Sequence, residues 1–178
     1  ESPHLVSNFD FSDEGLHQIK SDLMDQYYQQ GLAKDKIVFT DKSISNLLYI
    51  ESINKIFPNA KFIYCKRNLI ANTVGILRTF LPEIYWSHSI EKVFSISKIY
   101  AKKIKQIKLE NKIKILEIEI ENLSENPIGV SKNIYDYLNF KWTPDCIDNN
   151  IKNFVIKTAS DIQVRKPIKK HDLSHVVS

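Results

Sequence analysis

Glycine is scarce in this chain, with four in 178 residues. No glycine-rich stretch and no Gly-Lys-Ser/Thr sequence occurs, so these residues hold no phosphate-cradling P-loop, which counts against a nucleotide kinase. Cysteine is nearly absent too: Cys65 lies in an apolar run and Cys146 follows Pro144-Asp145, a spacing that fits no metal site. A disulfide between the two stays open, but a domain of this size needs no staple, and a reduced, cytoplasmic protein is the expectation. No run approaches the roughly 18 apolar residues of a membrane span, so none is expected. The N-terminus lacks a signal-peptide pattern, and the abrupt start Glu1-Ser2-Pro3 suggests that an N-terminal part of a larger protein precedes it. There is no internal repeat and no low-complexity tract.

What is present reads as one globular domain over residues 1–178. Hydrophobic residues make up 43% of the chain, enough for a real core at this length. The net charge of +4 favours an anionic ligand locally. The lysines are dispersed among acidic residues, however, which does not indicate general nucleic-acid binding. The densest group, Lys102 to Lys108, reads as the solvated face of a helix whose apolar positions are Ile99, Ile104 and Ile107.

The most informative stretch runs from Lys61 to Gly75. Phe62-Ile63-Tyr64-Cys65, after the turn signal Phe57-Pro58-Asn59, predicts a short buried strand. Asn68 is a suitable N-cap for a helix containing Leu69, Val74, Ile76 and Leu77. Arg67 therefore falls between a strand's C-terminal end and a helix N-terminus. There, free helix N–H groups beside a cation would suit phosphate or sulfate. The alternative is an Arg67 that only pairs with a surface carboxylate.

Elsewhere, Leu16, Ile19, Leu23 and Tyr27 predict a helix from about Ser12 to Gln30, ended by Gly31. Ile37-Val38-Phe39-Thr40 predicts a second strand, followed by Asp41-Lys42-Ser43 and a helix with Leu47, Leu48, Ile53 and Ile56. Parallel pairing of two such strands would bring Lys42 and Arg67 to one sheet edge. A helix from about Ser89 to Gln106 comes after a connection carrying Tyr85 and Trp86. Lys112 to Glu121 then alternates apolar and charged residues as a half-exposed strand does. A helix carrying Val130, Ile134, Tyr137 and Leu138 comes next, then a short helical stretch from Pro144 to about Phe154, and Thr158 to Ile168 reads as loop.

Three segments in order resemble the sulfotransferases, in the branch of tyrosylprotein sulfotransferases and bacterial enzymes fused to tetratricopeptide repeats. They are Thr40-Asp41-Lys42-Ser43, Phe57 through Asn68, and Thr158-Ala159-Ser160 through Ile168, with similarity over roughly residues 5 to 170. The resemblance implies an α/β, P-loop-kinase-like three-layer fold with a central, mostly parallel sheet. The first strand and the phosphosulfate loop are expected upstream of Glu1. It also implies transfer of a sulfuryl group from 3′-phosphoadenylyl sulfate (PAPS) to an acceptor hydroxyl or amine, leaving adenosine 3′,5′-bisphosphate. No metal is required by this chemistry.

By the same resemblance, Arg67 takes the 3′-phosphate of PAPS, where a guanidinium grips bidentately. Lys42 stands near the transferring group and stabilises charge on the leaving phosphate, help worth roughly 3 to 4 kcal/mol; its alternative is a salt bridge to Asp41 or another carboxylate. Ser160 and Lys166 match the late loop that contacts the nucleotide, with Arg165 assisting or facing solvent, and Arg78 adds positive charge one turn beyond Gly75. Two positions depart from the pattern. Gly75 stands where the family has a serine that bonds the 3′-phosphate, a loss of about 1.5 to 3 kcal/mol. Ile120, expected at the end of a strand before Glu121-Asn122-Leu123, replaces a nucleotide-contacting tyrosine. The base, a glutamate or histidine in this family, finds candidates here in Glu1, His4 and His17. Protein tyrosine, carbohydrate and small-molecule hydroxyls are all open as acceptors, with Tyr85 and Trp86 either bordering their cleft or completing a core. The competing function is a non-catalytic nucleotide-binding or interaction domain of the same fold.

Overall fold

The computed structural model describes residues 12–147 other than 33, 36, 37, 80, 82, 83 and 111. The chain divides into two compact units, Glu1–Ala60 with Lys102–Ile113, and Lys61–Ala101 with Lys114–Ser178.

In the first unit, α1 (Asp13–Gln29) starts where Ser12 caps it, its hydroxyl accepting from the Gly15 N–H at 3.2 Å. Asp13 and Glu14 in the first turn complement the helix dipole. The helix stops at Gly31, whose φ of +101° favours a residue without Cβ. A 3₁₀ turn (Ile44–Tyr49), capped by the Ser43 hydroxyl, leads into α2 (Ile50–Ile56). The apolar centre of this unit is Ile50 with Ile104 and Ile107. Lys103 Nζ holds both carboxylate oxygens of Glu51 at 2.9 and 3.1 Å.

The predicted strand at residues 37–40 is not formed where it is described: residues 38–40 have no regular structure. A β-branched run becomes a strand only when a neighbouring strand pairs with its backbone. Here the segment is held by its side chain instead. Phe39 stacks at 5.1 Å on Tyr27 and at 6.4 Å on Phe57. The inference that parallel strand ends carry Lys42 and Arg67 to one edge falls with that strand. Beside Phe39, the Tyr27 hydroxyl donates to Asp41 Oδ2 at 2.6 Å; burial first, then this bond and the carboxylate charge, push its pKa up to about 12.

The second unit carries the α/β character expected from sequence. Strand β1 (Phe62–Lys66) pairs in parallel with β2 (Ile115–Glu119), Phe62 opposite Ile115 and Lys66 opposite Glu119. Among the described residues these two strands make up the sheet. Between them run α3 (Leu69–Arg78), a 3₁₀ turn (Tyr85–His88) and α4 (Ile90–Glu110). The α4 residues up to Ala101 belong to this unit and those from Lys102 to the first. Ile118, Ala71 and Val93 are its most buried apolar residues. Ile99, predicted on the buried face of α4, is 53% exposed, and Val93 packs inside instead. The strand predicted to reach Glu121 ends at Glu119, so Ile120 opens α5 (Ile120–Glu125).

Helix α6 (Pro127–Leu138) begins with Asn126 as cap and Pro127 in its first turn, where proline's missing N–H costs nothing. It braces the start of the sheet through Tyr137, whose hydroxyl accepts from the Phe62 N–H at 3.3 Å and donates to the Lys114 carbonyl at 3.0 Å. Lys61 and Lys114 also stand over its ring, at 5.7 and 5.6 Å from the centroid. Tyr137→Phe keeps the ring but removes both hydrogen bonds, and urea unfolding should register a loss of about 1 to 2 kcal/mol.

Candidate functional site

Because β1 and β2 are parallel, both deliver their C-terminal residues to one edge. From β1 come Lys66, Arg67 and Asn68, and from β2 and the start of α5 come Glu119 and Glu121. Lys66 Nζ meets Glu119 Oε1 at 3.3 Å, a pair about half exposed on each side and therefore weak. The Asn68 N–H donates to Glu121 Oε1 at 2.9 Å. Burial first and the Glu117 charge second raise the Tyr64 pKa above the ordinary phenol value.

Asn68 caps α3 as predicted. Its Oδ1 accepts from the Ile70 and Ala71 N–H groups at 3.0 and 3.1 Å, and its carbonyl from the Asn72 N–H at 2.8 Å. This corrects one expectation. Two of the helix N–H groups pictured as free for an anion, those of Ile70 and Ala71, are used by the cap, and the N–H of Asn68 itself is bound to a carboxylate.

The Arg67 side chain runs along α3 and is half-buried, with its Nε atom enclosed. Its Nη1 lies 3.0 Å from where a Cβ on Gly75 would stand. Position 75 is thus more than a missing hydroxyl, because a side chain there would press on the guanidinium and require it to shift. Arg78, one helical turn beyond Gly75, is exposed in the last turn of α3.

Lys42 lies in the first unit. It is exposed, and among the described residues it pairs with no carboxylate. Asp41, the partner suggested from sequence, accepts from Tyr27 instead. His17 sits exposed on α1 in an open depression shared with Asp13 and Glu14, whose charges are the wrong sign for a nucleotide. Tyr85 is 74% exposed, which removes the core alternative for its ring; Lys92 Nζ stands 5.4 Å from it. Ser160, Arg165, Lys166, Glu1 and His4 lie outside the described residues.

The structure therefore brings the Arg67 side chain against Gly75 of α3, with Arg78 one turn further along that helix. It adds Glu121, which the sequence showed only as part of a Glu-x-Leu motif. Its tie to Asn68 depends on the register between β1 and β2, which neither segment reveals alone.

A family model described as the sulfotransferase family matches residues 3–144, a span that includes Lys42, Arg67, Gly75 and Arg78 and ends before Ser160. No curated protein matches the chain.

Proposed function

The chain belongs to the sulfotransferase family, and from that premise we propose that it moves a sulfuryl group from PAPS to an acceptor hydroxyl or amine. The observation that carries this reading is the Arg67 guanidinium laid against α3 over Gly75, at the exit of a parallel strand. A planar fork in that place suits a phosphate monoester such as the 3′-phosphate of the donor. Arg78 supplies further positive charge along the same helix. Ser160, Arg165 and Lys166 are assigned to the nucleotide by their sequence match.

PAPS, when bound, supplies an activated sulfuryl group whose S–O bond to phosphate breaks as the acceptor oxygen or nitrogen bonds to sulfur. The chain's residues have three tasks. Arg67 with its neighbours orients the nucleotide, Lys42 stabilises the negative charge gathering on the departing phosphate oxygen, and a base removes the acceptor proton. The feature that supports Lys42 in that role is its place in Thr40-Asp41-Lys42-Ser43.

Titration of the full-length protein with adenosine 3′,5′-bisphosphate tests the reading. Saturable binding, tighter than that of adenosine 5′-monophosphate, is the expected result, and no binding removes PAPS as donor. Binding without sulfate transfer to any acceptor would favour the non-catalytic alternative.

Gly75 provides a prediction in which stability and binding move apart. Alanine in a helix interior is favoured over glycine by about 1 kcal/mol, so Gly75→Ala should raise the urea midpoint. The new Cβ would stand 3.0 Å from Arg67 Nη1, tighter than ordinary contact, and the guanidinium would have to yield. Weaker binding of adenosine 3′,5′-bisphosphate by a more stable protein is therefore expected. Unchanged affinity would mean that the seat over Gly75 is irrelevant.

A further inference from the structure

We propose that Glu121 is the positioning residue of the Arg67 junction: through the Asn68 N–H, its carboxylate fixes the direction in which the Arg67 side chain leaves the backbone. The inference rests on the reading of Arg67 as the 3′-phosphate ligand and adds a residue to it.

Two of the contacts that join the end of β2 and the start of α5 to the crossing from β1 into α3 can be compared. One, between Lys66 and Glu119, is about half exposed on each side and holds little. The other is the 2.9 Å bond from the Asn68 N–H to Glu121 Oε1, charge-assisted and therefore the stronger of the two. The peptide plane it grips is the one between Arg67 and Asn68. Fixing that plane fixes ψ of Arg67, and with it the orientation of the Arg67 Cα–Cβ bond relative to α3.

The start of α3 is held at the same residue. The Asn68 side chain accepts from the Ile70 and Ala71 N–H groups, which locks the first turn of the helix to Asn68. Asn68 is thus held by Glu121 on its backbone and by α3 on its side chain, and Arg67 must aim its guanidinium along the helix to the gap over Gly75. That gap is narrow, since a Cβ there would stand 3.0 Å from Nη1. A small rotation at the junction would be carried to the end of a long side chain as a large displacement.

Glu121 also places a negative charge at an edge meant for an anion, so positioning and repulsion make opposite predictions. Glu121→Gln removes the charge and keeps an oxygen that accepts from Asn68; Glu121→Ala removes both. The full chain and the two variants are titrated with adenosine 3′,5′-bisphosphate and adenosine 5′-monophosphate. Hydrogen exchange at the Asn68 amide and the Arg67 Nε–H resonance are followed without ligand.

With positioning, Glu121→Ala should lower the preference for the 3′-phosphorylated nucleotide about tenfold, the scale of one charge-assisted bond, and Glu121→Gln should retain it. In the alanine variant alone, Asn68 exchange accelerates and the Arg67 signal moves. Tighter binding of the bisphosphate by both variants would overturn the proposal in favour of repulsion. An equal loss of both nucleotides, with a matching fall in Tm, would overturn it in favour of a merely structural role. Should the parent chain bind neither nucleotide, the donor assignment falls by itself. The positioning claim would then be decided by the ligand-free spectra, and an Arg67 resonance unmoved in Glu121→Ala would reject it.

Discussion

Replacing Lys42 with alanine is expected to slow sulfuryl transfer by about 10²- to 10³-fold at saturating donor, with little change in affinity for the intact donor. The asymmetry arises from when the ammonium acts. On the proposed chemistry its partner is charge that appears on the phosphate oxygen as the S–O bond lengthens, so it lowers the barrier without strengthening the ground-state complex. The local structure supports assigning the effect to Lys42 rather than to its neighbours. Asp41 is engaged by the Tyr27 hydroxyl at 2.6 Å, and the Ser43 hydroxyl caps the 3₁₀ turn at Ser45. Lys42→Ala therefore removes an exposed side chain and should leave the unfolding midpoint nearly unchanged. A variant that binds the donor more weakly but turns over normally at saturation would move Lys42 from the barrier to the nucleotide and refute this role.

The segment around Lys42 also shows where sequence reading succeeds and fails. Ser12, Asn68 and Gly31 were legible because a cap or a left-handed turn is decided within a few residues. Strand β1 was legible for a similar reason, being a short apolar run between a turn and a charged exit. Residues 37–40 had the composition of a strand but not a partner, and pairing is a property of two segments. The tertiary solution used Phe39 as a wedge between Tyr27 and Phe57. At the candidate site, the residue types were readable but their engagements were not. Asn68 could be recognised as a cap, yet the cost of that cap to anion binding shows only when both N–H groups are traced to its Oδ1. At Gly75 the sequence shows only a missing hydroxyl, whereas the structure sets the Arg67 guanidinium beside it. Local signals predict elements; distances between side chains decide what those elements can hold.

Arg67 is where those distances have the largest consequence for binding. Arg67→Ala should weaken adenosine 3′,5′-bisphosphate by about 100-fold or more, since two charge-assisted hydrogen bonds are lost together. Adenosine 5′-monophosphate, which lacks the group assigned to Arg67, should lose far less. Arg67→Lys is the sharper comparison. It keeps a positive charge but replaces a planar fork by a single flexible ammonium, and it abandons the guanidinium seat over Gly75. If charge alone mattered, lysine would bind nearly as well as arginine. If the fork matters, lysine should recover only part of the loss, and raising the ionic strength should weaken the lysine variant more, because a point charge relies on unscreened attraction. Because the N–H groups of Ile70 and Ala71 are already held by Asn68, the helix N-terminus has little with which to compensate. Isothermal titration of the two nucleotides with the three proteins separates these outcomes. Equal affinities for the bisphosphate in all three would show that the 3′-phosphate is held elsewhere, and the site proposed around α3 would be wrong.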